Sequence, residues 1–582
     1  MSDKTKTGLE ILQVAAVLGL LGNILLRQTP WGLNVFLFNV AFVAGTSMLL
    51  LRNNRELLTR QTISLLGAQL FFAAMYIWRG STELLTADAF AIVIIVSVIF
   101  VPKMKVAASV AGVFHYIVGF LWSALNAFFA SIVLLVSDIE WKGMPQTGRS
   151  RHLISVLRGV LIAAPIIFIF GALFVAADAV YQGMVERVIN IKPETVFTHV
   201  ILTLVFAWLS AGYLRGVVLG NEPAFAVDLQ PRPQADAAAE SKVEQIKTES
   251  ADEAPTLPEN RTILEHINIS DPPNAEAPKT EELPKAAEPK QNKWNWARFD
   301  NSILPAAFTL GPVEIVVILG AIDLLFLSFV IVQVPYLFGG MDLVQNTPDF
   351  KLAEYARRGL GELVMVSALV LPILLAAHWL IRKDNPLTEK LFRVLAGIQI
   401  ALLFVIMASA VQRLVLLTGN LGYGLTTTRL YPMIFMAWLA VVFVWFSLTV
   451  LRGARQYFAW GALWMAIFAL GATNFLNPDA FILKTNIALM KQGREFDARY
   501  NSRLSDDALP TLVENFEALN TNDQVTVFRQ ISRRYCEKQK ETDIRNWNLS
   551  RQRATYALNA YASTLNNQCA PQVPPESTGS DF

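Results

Sequence analysis

The stretch IVVILGAIDLLFLSFVIVQV, residues 315–334, is apolar over a length that crosses a bilayer as a helix, and it carries Asp323 near its middle. A carboxylate at that depth costs about 2.5 kcal/mol or more, so it calls for a partner, a proton or a water-filled cavity. The reading of this one segment decides the fold class. Buried backbone in lipid must satisfy its own hydrogen bonds, and strand-type alternation is absent, so helices are the solution.

Outward from this segment the same pattern recurs at 11–26, 31–51, 62–78, 87–101, 112–136, 156–176, 196–217, 313–334, 359–381, 391–417, 431–451 and 458–475. The composition agrees: the chain is 53% hydrophobic and only 16% charged, where soluble domains carry roughly 25% charged residues. The expected fold is an all-α polytopic bundle of eleven or twelve spans in contact with the lipid bilayer. A formal net charge of +2, with the basic residues in short loops, argues against a nucleic acid partner. Lys4 and Lys6 before the first run suggest a signal peptide, but no small-residue cleavage pattern follows, so a retained first helix is expected.

Composition divides the chain into an amino-terminal membrane region (1–220), a Pro-, Glu-, Ala- and Lys-rich linker (221–292), a second membrane region (293–476) and a soluble tail (477–582). The linker holds too little apolar surface to offset its ordering entropy and is expected to be disordered, serving as a solvated connector or a regulated tether. Lys and Arg in short loops favour the cytoplasm. In the second half, Lys290, Lys293 and Arg298, then Arg382, Lys383 and Lys390, then Arg452 and Arg455 recur two spans apart, which puts the linker inside and the tail outside. In the first half, Lys4 and Lys6, Arg52, Arg55 and Arg60, Lys103 and Lys105, and Lys142, Arg149, Arg151 and Arg158 all carry the cytoplasmic signal, and seven full spans cannot place them together. Either 112–136 is re-entrant or lies on the membrane, as His115, Trp122 and Asn126 suggest, or some basic loops face outward.

Both cysteines, Cys536 and Cys569, fall in the tail, which suggests a disulfide in an exported segment worth roughly 3 to 4 kcal/mol by the loop-entropy argument. The tail reads as helical. Asn477 caps a helix with Pro478 in its first position, Ser505 with Asp506 and Asp507 begins a second, and Asn522 begins a third whose buried side holds Val525, Val527, Phe528 and Ile531.

The strings AADAVYQGMV (176–185), QVPYLFGG (333–340), EYARRGLGEL (354–363), VQRLVLLTGNLGYGLTTTRLY (411–431), NPDAFILKTNIAL (477–489) and LSDDALPTL (504–512) together resemble the bacterial multi-pass membrane family called domain of unknown function 4173. The resemblance implies residence in a bacterial inner or cytoplasmic membrane. It transfers no catalytic, cofactor or ligand residue.

Candidate chemistry therefore comes from the residues themselves. Asp323 is either a protonation or ion site or a carboxyl that serves packing specificity. Arg413, beside Gln412, lies near the outer end of its span; it can snorkel to the interface, and pairing with Asp323 would have to bridge a difference in depth. Arg357, Arg358 and Glu362 open a span, with Arg358 and Glu362 four apart on one face, an arrangement for an interfacial anchor or for an anionic ligand such as a lipid phosphate. Asp178 and Glu314 sit at span ends as interfacial residues. The five histidines lack metal-ligand spacing, and no cofactor or nucleophile motif is present, which disfavours an enzyme. Two classes remain: a sensor, scaffold or envelope protein whose exported tail meets a partner, and a secondary transporter using Asp323.

Overall fold

The computed structural model describes residues 2–140, 193–220, 309–338, 360–381, 386–415, 418, 424–538 and 543–569. The expected span at 156–176, the linker 221–292, Asp178, Arg357 and Arg358 lie outside them. The chain forms two units, Met1–Asn221 with Ala297–Phe582 and Glu222–Trp296, and every described residue belongs to the first.

Among the described residues, eleven helices are long and apolar enough to cross a membrane, and no strand is present. They are α1 (Asp3–Leu26), α2 (Leu33–Asn53), α3 (Arg60–Trp78), α4 (Thr82–Val98), α5 (Val113–Val133), α6 (Pro193–Val218), α7 (Pro312–Phe338), α8 (Leu360–Leu380), α9 (Pro386–Val415), α10 (Thr427–Thr449) and α11 (Phe458–Leu476). Large apolar side chains such as Leu324 (68% exposed) and Phe128 (61%) point outward, as a lipid solvent permits. α1 starts well before its apolar run because the Ser2 hydroxyl caps it, accepting from the Thr5 N–H. In the second half Ile315, Leu319, Phe326 and Val330 of α7 share a core with Phe392, Ala396, Ile400 and Leu403 of α9.

Polar contacts fix which helix ends lie together. At the first end, Asn53 of α2 donates to Glu10 of α1 at 3.0 Å, Gln61 of α3 meets Ser109 at 2.7 Å, and Asn54 donates to the Val218 carbonyl closing α6 at 2.6 Å. The Arg455–Tyr457 turn packs on the Ala108–Val110 turn, and the Leu310 N–H donates to the Leu380 carbonyl, so the second half aligns with the same end. Lys4, Lys6, Arg52, Arg55, Arg60, Lys103, Lys105, Lys390, Arg452 and Arg455 all collect there.

Helix α5 bears on the conflict among the basic loops. Its first turn meets the first end, with Tyr116 Oη donating to the Ala108 carbonyl at 2.9 Å. Its middle meets the last turn of α4, with Ser123 on Ser97 at 2.9 Å, and its last turn meets the interior of α6, with Ser131 on the Trp208 carbonyl at 2.5 Å. Its π-helical continuation, Leu134–Asp138, returns to the first end, where Asp138 is bridged by Lys4 at 2.7 Å and Arg215 at 2.8 Å. Both ends of α5 thus sit at one end of the bundle, although its length and apolarity suit a crossing. Close approach to α6 depends on Gly212, where an added Cβ would collide with the Asn126 carbonyl oxygen.

At the second end α12 (Pro478–Lys491), α13 (Ala498–Asn501), α14 (Leu509–Glu514), α15 (Thr521–Lys538), α16 (Leu549–Asn559) and α17 (Ala562–Cys569) form a helical cap. Its core joins Ile482, Leu483, Leu509, Leu512, Val527, Ile531, Ala554 and Leu558 to Leu425 and Leu430 at the start of α10. Cys536 and Cys569, 33 positions apart, are bonded with Cα atoms 5.4 Å apart and tie α15 to α17. Asn477 caps α12 as expected, in a left-handed conformation at φ 54°. Three expectations fail here. Ser505–Asp507 is a turn rather than a helix start, because its polar groups are drawn into tertiary contacts; Asn522 lies inside α15, which Asn520 caps by accepting the Asp523 N–H at 2.9 Å; and Val525 is 54% exposed on the outer face of α15.

Candidate functional site

The cap is anchored to loops of the amino-terminal half by a polar junction. Arg79, just past α3, stacks its guanidinium 4.0 Å from the Trp78 ring, donates through Nε to the Asn474 carbonyl of α11 at 2.6 Å, and faces Asp507 of the cap at 3.7 Å. Asp507 in turn accepts from the Gly80 and Ser81 N–H groups at 2.6 and 3.1 Å. Asn548 donates to the Tyr76 and Arg79 carbonyls, each at 2.7 Å, so the exposed end of α3 is closed by a side chain from the far end of the chain. Trp547 offers its carbonyl to the Leu33 N–H at 2.9 Å, and Arg551 donates to the Trp31 carbonyl at 2.9 Å.

One layer deeper, Asp88 of α4 is fully buried and accepts from Asn474 at 2.9 Å. In the cap, Asn486 holds both the N–H and the carbonyl of Leu425, at 2.6 and 2.9 Å. Burial raises the Asp507 carboxyl above the usual range, opposed by the Gly80 N–H and Arg79, and burial lowers the Arg79 guanidinium. Asp479 is raised by burial too, against the pull of Ser505, whose N–H it accepts at 3.1 Å.

Beside the junction opens a cleft of about 800 Å³, lined by Trp31, Tyr76, Glu83, Asp479, Arg503 and Arg551 among others. Four elements of chemistry meet in it: buried and exposed carboxylates, guanidinium groups, ring faces and free space for a small ligand or a peptide side chain. Among the described residues no group of three or more His, Cys, Asp or Glu is placed to hold a metal ion.

The residues singled out in the sequence lie elsewhere. Asp323 falls on the buried face of α7 at 7% exposure, with neither oxygen hydrogen-bonded among the described residues. Arg413 is buried near the end of α9. Glu362 is exposed in the first turn of α8, while its expected neighbours Arg357 and Arg358 lie outside the described residues. Sequence reasoning passed over Arg79, Asp88, Asn474 and Asp479, and gave Asp507 only the role of opening a helix. Their signal was present in Asp88 within an apolar run and in the paired acids at 506–507, but the partners lie hundreds of positions apart.

No curated protein and no solved structure matches the chain. The family model that does match covers residues 66–244 and 277–515, which include Arg79, Asp88, Asn474, Asp479 and Asp507. It is not that of domain of unknown function 4173, to which the motifs were likened, although both are uncharacterised domains. With the match spanning well over half of its length, the chain belongs to the family described as Domain of unknown function (DUF4153).

Proposed function

We propose that this integral membrane protein resides in a bacterial inner membrane with its linker in the cytoplasm and its cap exported, and that it acts as an envelope sensor or scaffold rather than as a catalyst. The observation that carries the reading is the segregation of the two ends. The basic turns gather at one end of the bundle, and the bonded cysteines and the cleft lie at the other. A cap locked to loops from both halves offers a partner or ligand a surface whose occupancy can be felt at the helix ends, through Arg79 to α3 and Asn474 to α11. An impermeant thiol reagent on intact cells tests this. Labelling of Cys536 and Cys569 only after reduction supports the exported cap, and labelling that needs permeabilisation overturns it.

A second reading, a secondary transporter, draws on Asp323 alone, a buried intramembrane carboxylate with unpaired oxygens among the described residues. Proteoliposomes carrying an internal pH dye would then leak or couple protons in the wild type and lose that flux in Asp323→Asn. Equal flux in both removes this reading.

A further inference from the structure

We propose that the cleft beneath the cap binds a primary ammonium group, received between Asp479 and Glu83 beside the Trp31 and Tyr76 rings; this deepens, and rests on, the ligand-receiving cap of the proposed function. Asp479 lines the cleft at 2% exposure, and its Oδ1 has no hydrogen-bond partner among the described residues, while Oδ2 is used by the Ser505 N–H. Glu83, exposed on the same cleft, engages one oxygen among the described residues, accepting from Ser81 Oγ at 3.1 Å. Asp507 is not part of this site, because Gly80, Ser81 and Arg79 already occupy its oxygens.

Asp479 and Glu83 do not make a metal cage with the other acids lining the cleft, Asp506 and Glu537, since no group of three or more His, Cys, Asp or Glu is placed to hold a metal ion among the described residues. They do suit a cation that brings its own donors, and an alkylammonium carries three. Trp31 and Tyr76, with ring centroids 6.5 Å apart, add apolar walls and ring faces that attract positive charge. Arg503, exposed on the same cleft, suits an anion attached to the ammonium. The ligand chemistry is therefore a primary ammonium bearing a phosphate or carboxylate, as in soluble phosphoethanolamine or the head group of an ethanolamine phospholipid.

The test uses the full chain in nanodiscs of phosphatidylglycerol, titrated calorimetrically with phosphoethanolamine. Saturable binding is expected, weakened about tenfold or more by Asp479→Asn and by Glu83→Gln, and about tenfold or more weaker for phosphocholine, whose quaternary nitrogen has no N–H. Asp479→Asn keeps an acceptor for the Ser505 N–H, and Glu83→Gln alters an exposed side chain, so at least one variant reports on binding rather than folding. In nanodiscs containing phosphatidylethanolamine, a fall in apparent affinity for the soluble probe assigns the site to the lipid, and an unchanged affinity assigns it to a soluble amine. Absence of saturable binding, equal binding of phosphocholine, or undiminished binding by both variants overturns the proposal. Thiol labelling reports sidedness independently, so an exported cap that fails the titration rejects the ammonium site alone.

Discussion

Two buried carboxylates in this molecule have opposite surroundings. Asp507, beneath the cap, receives two backbone N–H groups and faces the Arg79 guanidinium, whereas Asp323, inside α7, has neither oxygen hydrogen-bonded among the described residues. The difference separates two uses of a buried charge. A partnered carboxylate joins elements of the fold, because removing a partner leaves a buried deficit. An unsaturated one contributes little to holding the fold and is left available for a proton or a ligand.

The largest effect is expected where the junction is broken from one side. Arg79→Ala leaves Asp507 buried without its cation and removes the donor to Asn474, so the cap should lose about 3–5 kcal/mol of docking stability. Thermal denaturation of the detergent-solubilised protein, followed by limited proteolysis at the cap, measures it. Arg533 and Glu537 form an exposed ion pair one turn apart on α15, at 3.0 Å, and a shift no larger than that of Arg533→Ala would place Asp507 with such surface pairs. Next in size, Cys536→Ser should cost roughly 3–4 kcal/mol by releasing the α15 to α17 loop, and it should act on the cap without disturbing the contacts of Arg79. Asn548→Ala removes two hydrogen bonds to the end of α3 and should cost about 1–3 kcal/mol, read by the same melt.

Acidification sharpens the comparison further. Asp479 and Asp507 are raised above the ordinary carboxylate range chiefly by burial, so the folded cap favours their neutral forms more than the unfolded chain does. Their contribution to stability is complete below the ordinary carboxylate range and is lost as pH rises through the raised values. The groups facing Asp479 are Glu83, Asp507, Tyr431 and Ser505, of which the two acids push it the same way. Wild-type cap stability minus that of Asp479→Asn should therefore fall from mildly acidic to neutral pH. A difference that rises over that interval would mean that the carboxylate is stabilised as an anion in the fold.

Much of this architecture is legible in the sequence for a plain reason: in lipid each helix satisfies its own backbone, so apolar length alone marks it. Run and helix agree closely at 458–475 and Phe458–Leu476, and at 359–381 and Leu360–Leu380. What escaped reading depends on partners distant in sequence. Hydropathy gives α5 the signature of a span, and only its stripe of His115, Gly119, Ser123 and Asn126, all buried, hints at the polar contacts that it makes with its neighbours. Ser505–Asp507 has the local chemistry of a helix cap, but Gly80 and Ser81 recruit the Asp507 carboxylate and Asp479 the Ser505 N–H. Asp323 was conspicuous because its neighbours are apolar, which is a local property, while Arg79 was inconspicuous between two spans and gains its meaning only from Asp507 and Asn474.

The smallest effect on stability is expected at Asp323, and its smallness is what the comparison asserts. Asp323 lies in line with Ile315, Leu319, Phe326 and Val330 on the face of α7 that meets α9, where an aliphatic side chain would extend the existing core. Replacing an unanswered acid by an apolar group of similar volume gives up no hydrogen bond, so Asp323→Leu should leave the melting behaviour unchanged or raise stability by about 1 kcal/mol. A loss near that of Arg79→Ala would mean that Asp323 is answered after all, by a group beyond the described residues, and the two carboxylates would then belong to one structural class. An unchanged melt combined with lost proton flux in Asp323→Asn would instead show a carboxyl dispensable to the fold and required for transport, which is the one combination that turns the contrast between the two sites into a division of labour.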